Sequence, residues 1–176
     1  GAVARDFPEI AQGGSFPAEG LSCGPAFEAL LQELHSPQLT AALSEKFEID
    51  LEGRPVMVTV RGMSRLKDGR IHADSADKLL TGLLYINDGW QSEGGRLRLL
   101  RSPDDLDDYV SEIPPHQGSL LAFLCCEHAW HGHKPYAGVR RSIQINWMRD
   151  ARVVRRELAR HGFAARLKRV FARLRR

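Results

Sequence analysis

Cysteine is scarce in this sequence, and the few present cannot form a framework. Cys23, Cys125 and Cys126 are an odd number, and two are adjacent. That argues against a disulfide-stapled module and fits a reducing, cytoplasmic setting. No CxxC spacing occurs, so Cys125 and Cys126 read as the two faces of one strand rather than a redox pair. Long apolar runs are missing too: none approaches the roughly 18–20 residues that span a bilayer. The opening Gly1-Ala2-Val3-Ala4-Arg5-Asp6 lacks the basic-then-apolar pattern of a signal peptide. Internal repeats and low-complexity segments are also absent.

What is present is an ordinary globular composition with uneven charge. Hydrophobic residues make up 43% and charged residues 27% of 176 residues, which fits one domain with a sizeable core. The net charge is +3, but residues 149–176 hold eleven Lys or Arg and two acids, a net of +9 that leaves −6 for residues 1–148. The chain therefore divides into a mildly acidic body, 1–148, and a basic amphipathic helical tail, 149–176.

The body changes texture along its length. Residues 1–20 carry Gly and Pro punctuation and read as an irregular or edge-strand lead-in. Ser22-Cys23-Gly24-Pro25 opens a helix with Phe27, Leu30, Leu31 and Leu34 at helical spacing. Ser36 and Pro37 look like the N-cap and first residue of a second helix to about Lys46, with Leu39, Ala42 and Leu43 inward. From residue 55 the pattern is β-branched and alternating. Strands are expected at 55–61, 71–74, 78–86, 94–100, 119–125 and 139–148, with turns between them. Helices first and then seven or eight short strands, with no crossover helices, predict a mainly β, α+β fold: a sheet-on-sheet jelly roll with the N-terminal helices packed outside.

The chemistry concentrates in three places. His72 and Asp74 lie two residues apart, so on a strand they share a face. His131 follows about sixty residues later, and Arg140 nine residues after that. Two histidines and a carboxylate can hold one face of an iron(II) ion and leave the opposite face open. A guanidinium deep in the barrel can grip the far carboxylate of a dicarboxylic cosubstrate. His133 could face the same way as His131, although the nine-residue gap to Arg140 favours His131. Gln144 shares the face of Arg140, where it either lines that pocket or fills the core. Arg141 should point to solvent. Met57, Thr59 and Arg61 read as strand alternation bordering the site, and Trp90 and Trp147 as core.

In this order and at these spacings the motifs resemble the prolyl-4-hydroxylase-like branch of the iron(II)/2-oxoglutarate oxygenases. The resemblance covers roughly residues 56–148. It rests on His72-x-Asp74, Tyr85-Ile86-Asn87-Asp88-Gly89-Trp90, Gly94-Gly95-Arg96-Leu97-Arg98, Pro115-x-x-Gly118-Ser119-Leu120-Leu121-x-Phe123, and His131 followed by Arg140. It implies a double-stranded β-helix with His72, Asp74 and His131 as catalytic iron ligands. Arg140 and Tyr85 would bind the cosubstrate's distal carboxylate. The implied cofactors are Fe(II), 2-oxoglutarate and O2, with ascorbate as a reductant. The implied reaction is hydroxylation with release of succinate and CO2. Asp74 favours hydroxylation over halogenation, because the family's halogenases lack that acid. The substrate is left open between a prolyl or other residue of a protein or peptide and a small metabolite.

Two other classes compete. One is a catalytically silent jelly-roll module whose tail is the working part. The other is a cupin-type dioxygenase that uses no 2-oxoglutarate; neither accounts for Arg140 and Tyr85 beside the ligand set. The tail's apolar stripe, Leu167, Val170, Phe171 and Leu174, could pack on the domain or make a homodimer. Its charge leaves contact with nucleic acid or an anionic membrane open, with no motif to support either.

Overall fold

The computed structural model describes residues 1–156 and 159. Its centre is an antiparallel sheet in the order β1-β2-β8-β3-β6, built from β1 (Phe16–Pro17), β2 (Val56–Ser64), β3 (Lys78–Tyr85), β6 (Leu120–Leu124) and β8 (Gly138–Met148). A smaller sheet, β5-β4-β7, is made by β4 (Leu97–Leu100), β5 (Tyr109–Ile113) and β7 (His131–Gly132). The architecture is the expected mainly β one, and the ladders between its strands are antiparallel.

Alternation in the long strands sorts side chains between two buried environments. On β2, Val58 and Val60 join the apolar core with Ile143, Ile145 and Trp147 of β8 and Leu80 of β3. That face is covered by α2 (Pro25–Leu34) and α3 (Pro37–Phe47), through Phe27, Leu34 and Leu43. The other face carries Met57, Thr59 and Arg61, which line a cavity together with side chains from both sheets. β2 is therefore buried on both sides, which its Val-rich sequence suits.

The helices begin where the chain's chemistry dictates. Ser36 Oγ accepts from Leu39 N at 3.2 Å, with Pro37 in the first turn of α3. α2 starts on Gly24 without a cap of its own, and Asp6 Oδ2 supplies one by accepting from Ala26 N at 2.9 Å. Trp147 Nε1 donates to Thr40 Oγ1 at 3.2 Å and pins α3 to the sheet.

Several expectations need correction. Residues 71–74 are not a strand: His72 makes one isolated antiparallel bridge to His131. β7 is two residues long, so the ladder has nothing to continue along. Residues 1–20 contain α1 (Ala2–Arg5) as well as the edge strand β1. Ala42 is exposed rather than inward. The sequence pattern gives no sign of one further feature, Arg98, which is buried and held by Glu112 and Asp107. Arg141 is not solvated: it donates to Ala4 O at 3.0 Å and lies over the Phe7 ring. Trp90 and Trp147 are buried as expected, and Cys125 is buried where Cys126 is exposed. Residues 151–156 are helical, and the apolar stripe expected in the tail lies outside the described residues. No helix among the described residues is long and apolar enough to cross a membrane.

Candidate metal and cosubstrate site

The cavity, about 550 Å³, lies between the two sheets. At one end His72, Asp74 and His131 offer ligand atoms that all lie within 4.8 Å of one another. The two histidines are brought together by their own backbones: His72 N donates to His131 O at 3.0 Å and His131 N to His72 O at 2.9 Å. Their rings are 4.3 Å apart.

Each ring is oriented by a second contact. His72 Nδ1 lies 2.9 Å from Arg70 O, and His131 Nδ1 2.9 Å from Ala129 O. A carbonyl oxygen only accepts, so both Nδ1 atoms carry the proton and both Nε2 lone pairs are available to a cation. Burial lowers the pKa of His131, which keeps it neutral near pH 7. Burial by itself would raise the pKa of Asp74; the Lys78 ammonium and the Thr81 hydroxyl outweigh it and hold the carboxyl below its usual range. Lys78 Nζ lies 2.8 Å from Asp74 Oδ1, and Thr81 Oγ1 donates to Oδ2 at 2.6 Å. Two imidazoles and one carboxylate, with ligand atoms within reach of a common point, are a donor set that fits iron(II).

The other end of the cavity is basic. Arg140, 5% exposed, donates from Nε to Gly95 O at 2.8 Å and holds an N–H 3.4 Å from the Tyr85 hydroxyl. Burial raises the Tyr85 pKa, so the phenol stays protonated beside the guanidinium. His133 is also buried there, apart from the triad. Desolvation and the charge of Arg140 push its pKa down to about 4. Gln144 lines the cavity and donates to Asn146 Oδ1 at 3.1 Å. His128 is exposed in a loop beside Glu127.

All the residues expected at the site line this cavity: His72, Asp74, His131, Arg140, Tyr85 and Gln144. Sequence reasoning missed Lys78 and Thr81, which hold Asp74. Their signal was positional: Thr81 faces Asn146 across β3 and β8, on the inward side of both strands. It also underweighted Arg61, which lines the cavity near Arg140.

The comparisons agree with this geometry. A family model described as the 2OG-Fe(II) oxygenase superfamily matches residues 62–149. No curated protein sequence matches the chain. A prolyl-4-hydroxylase from Pseudomonas putida is 23% identical, with 80% of this chain and 72% of that one covered and a TM-score of 0.57. A 2OG-Fe(II) oxygenase family oxidoreductase from Burkholderia pseudomallei is 15% identical over 85% and 75%, with a TM-score of 0.55. The collagen prolyl hydroxylase of Paramecium Bursaria Chlorella virus-1, in its 2OG complex, is 12% identical over 78% and 80%, with a TM-score of 0.53. These identities speak for a shared fold. The family match spans half of the chain and includes His72, Asp74, His131 and Arg140. The chain belongs to the 2OG-Fe(II) oxygenase superfamily, and its cofactors are iron(II), 2-oxoglutarate and dioxygen.

Proposed function

We propose that this protein is a hydroxylase in which His72, Asp74 and His131 hold the iron and Arg140 with Tyr85 receives the distal carboxylate of 2-oxoglutarate. The observation that carries the reading is the placing of these two groups at opposite ends of one cavity. Thr81, bonded to Asp74, and Tyr85, beside Arg140, are four residues apart on β3. Four residues of strand span roughly 13 Å. That is the scale of a five-carbon diacid with a metal at one end and a hydrogen-bonded carboxylate at the other. A cupin-type enzyme without 2-oxoglutarate, or a silent module, gives Arg140 and Tyr85 no task.

When bound, iron with 2-oxoglutarate and dioxygen supplies the oxidising power, converting the cosubstrate to succinate and CO2 while a hydroxyl is added to the substrate. The chain's residues prepare the site for that chemistry. Nδ1 contacts to backbone carbonyls hold both imidazoles in the ligating tautomer. Lys78 and Thr81 keep Asp74 ionised and fixed in direction. Tyr85 presents a protonated hydroxyl, a donor that costs no extra charge. Met57, Leu83, Leu97 and Met148 give the cavity an apolar stretch of wall between its polar ends.

For the substrate, the prolyl-4-hydroxylase likeness supports a prolyl or other residue in a protein or peptide, with a small metabolite as the other class. Ascorbate as a reductant belongs to the same proposal. The test is anaerobic titration with iron(II) and then 2-oxoglutarate, watching for the visible charge-transfer band of the chelate. The band should form in the wild type, vanish in His131→Ala and need far more 2-oxoglutarate in Arg140→Ala. Folded protein that binds iron without the band refutes the cosubstrate assignment; folded protein that binds no iron refutes the ligand set.

A further inference from the structure

The basic end of the cavity holds more positive charge than Arg140 alone. Arg61 of β2 pairs in register with Ser142 of β8, and Ser142 pairs with Tyr85 of β3. All three line the cavity with Arg140. Arg61 and Tyr85 therefore flank one spot from two sides, and Arg61 is close enough to both Tyr85 and Arg140 to interact with each electrostatically.

Among the described residues, neither guanidinium is fully matched by an acid. Among the described residues the carboxylate paired with Arg61 is Asp68, whose Oδ2 lies 3.5 Å from Nη1. Asp68 is engaged more closely by Arg65, whose backbone N and guanidinium both bond it, at 2.9, 3.0 and 3.3 Å. Arg61 also donates from Nη2 to the neutral Ser15 Oγ at 3.2 Å. Arg140 gives its Nε to Gly95 O, which removes the side-on fork and leaves its Nη groups, one of them beside the Tyr85 hydroxyl, for a carboxylate. Tyr85, buried beside them, stays a neutral phenol. Arg61 and Arg140 thus face this end of the cavity with one nearby acid, Asp68, which Arg65 also engages, an excess of positive charge that suits a carboxylate ligand.

Position decides which carboxylate. The row Arg61–Ser142–Tyr85 lies four residues from the row Met57–Asn146–Thr81, and Thr81 bonds Asp74 at the metal end. Lys78, Met148, Val153 and Arg156 also line the cavity on that side. A substrate must present its reacting carbon at the metal end, so the far row belongs to the cosubstrate. We infer that Arg61 is a second guanidinium for the distal carboxylate of 2-oxoglutarate, acting with Arg140 and Tyr85, and that Asp68 competes with the cosubstrate for it. This rests on the function proposed above. It makes the site selective for a keto acid with a charged far end, and it makes the turn that holds Asp68 an attenuator of cosubstrate affinity.

The experiment is calorimetric titration of the full chain, loaded with Mn(II) so that no turnover occurs. Two ligands are used: 2-oxoglutarate, and 2-oxopentanoate, which has a methyl in place of the distal carboxylate. Removing a charge-assisted hydrogen bond weakens binding by about tenfold to a hundredfold. Arg61→Met should weaken 2-oxoglutarate by that factor and leave 2-oxopentanoate within about twofold. Arg61→Lys should fall between Met and wild type. Asp68→Asn should tighten 2-oxoglutarate. Equal losses for both ligands in Arg61→Met, or weakening in Asp68→Asn, would mean that Arg61 only tethers the turn, and would overturn the inference. Should Arg61→Met not fold, Arg61→Gln reads the same ratio of the two ligands. A wild-type protein that binds no 2-oxoglutarate overturns the proposed function itself. Wild-type binding with an unselective Arg61 variant overturns only the role of Arg61.

Discussion

Replacing Lys78 with Met removes the ammonium 2.8 Å from Asp74 Oδ1 and leaves an apolar stem of similar length. The side chains of this pair are 15% and 7% exposed, so solvent screens them little. At an effective dielectric of about 20 the gross attraction is about 6 kcal/mol, most of it offset by desolvation. Removing one partner of such a pair costs about 3–5 kcal/mol, and the surviving Thr81 bond argues for the low end. The metal-free variant should therefore lose about 3 kcal/mol, roughly 6–12 °C in Tm for a chain of this size. The pH dependence should change sign. In the wild type the Asp74 pKa is depressed, so its contribution is complete above the unfolded value of about 3.9 and is lost as pH falls through the folded pKa. Without Lys78, burial dominates and the pKa rises, so stability is lost as pH increases through the new value. A divalent cation then does what the ammonium did. Bound Mn(II) should restore most of the lost Tm, and its affinity should increase by about tenfold or more. The assay is thermal unfolding with and without Mn(II) across pH 5–8. An equal loss of Tm with and without metal, or weaker metal binding in the variant, would refute the reasoning.

Gly69 sits at φ +88, and an added Cβ would run into the His133 ring. Gly69→Ala should cost about 2–3 kcal/mol in a denaturant titration, from left-handed strain and displacement of His133, and should weaken 2-oxoglutarate because His133 neighbours Arg140. Glu112→Gln leaves the buried Arg98 with Asp107 as its remaining acid; a loss of about 3 kcal/mol in the same assay is expected, and a neutral result would show the pair to be expendable. A thiol reagent should titrate Cys126 first and Cys125 only on unfolding, because burial both shields Cys125 and raises its pKa; mass spectrometry of the labelled peptides reads the order.

What could be read in advance was whatever left a periodic or spaced mark. Ser36-Pro37 announces α3, the Val-rich run announces β2, and the interval from His131 to Arg140 announces a turn followed by a strand pointing inward. Elements without such a mark were missed. α1 is four residues long, too short for a helical stripe. β5 has three exposed residues and no buried one, so alternation never shows. β7 exists only as the two-residue partner of β4. The charged residues misled most. Arg98 and Lys78 look like solvated positions on strands, because the acids that make burial tolerable, Glu112 and Asp74, stand 14 and 4 residues away. Arg61 looks the same, since a cavity is invisible to a hydrophobic pattern. The His72-x-Asp74 pair was found for a reason only half right: the two ligands converge, but through one bridge rather than along a strand.

That bridge has a consequence for folding. His72 and His131 are about sixty residues apart in the chain, and two hydrogen bonds join their backbones. A cation shared by their rings would act as a crosslink closing that long loop, with the entropic leverage loop closure gives. Iron in this protein would then be a structural clasp as well as a reagent. Amide hydrogen exchange at His72 and His131 would report its presence, slowing when the clasp is shut, with no substrate added.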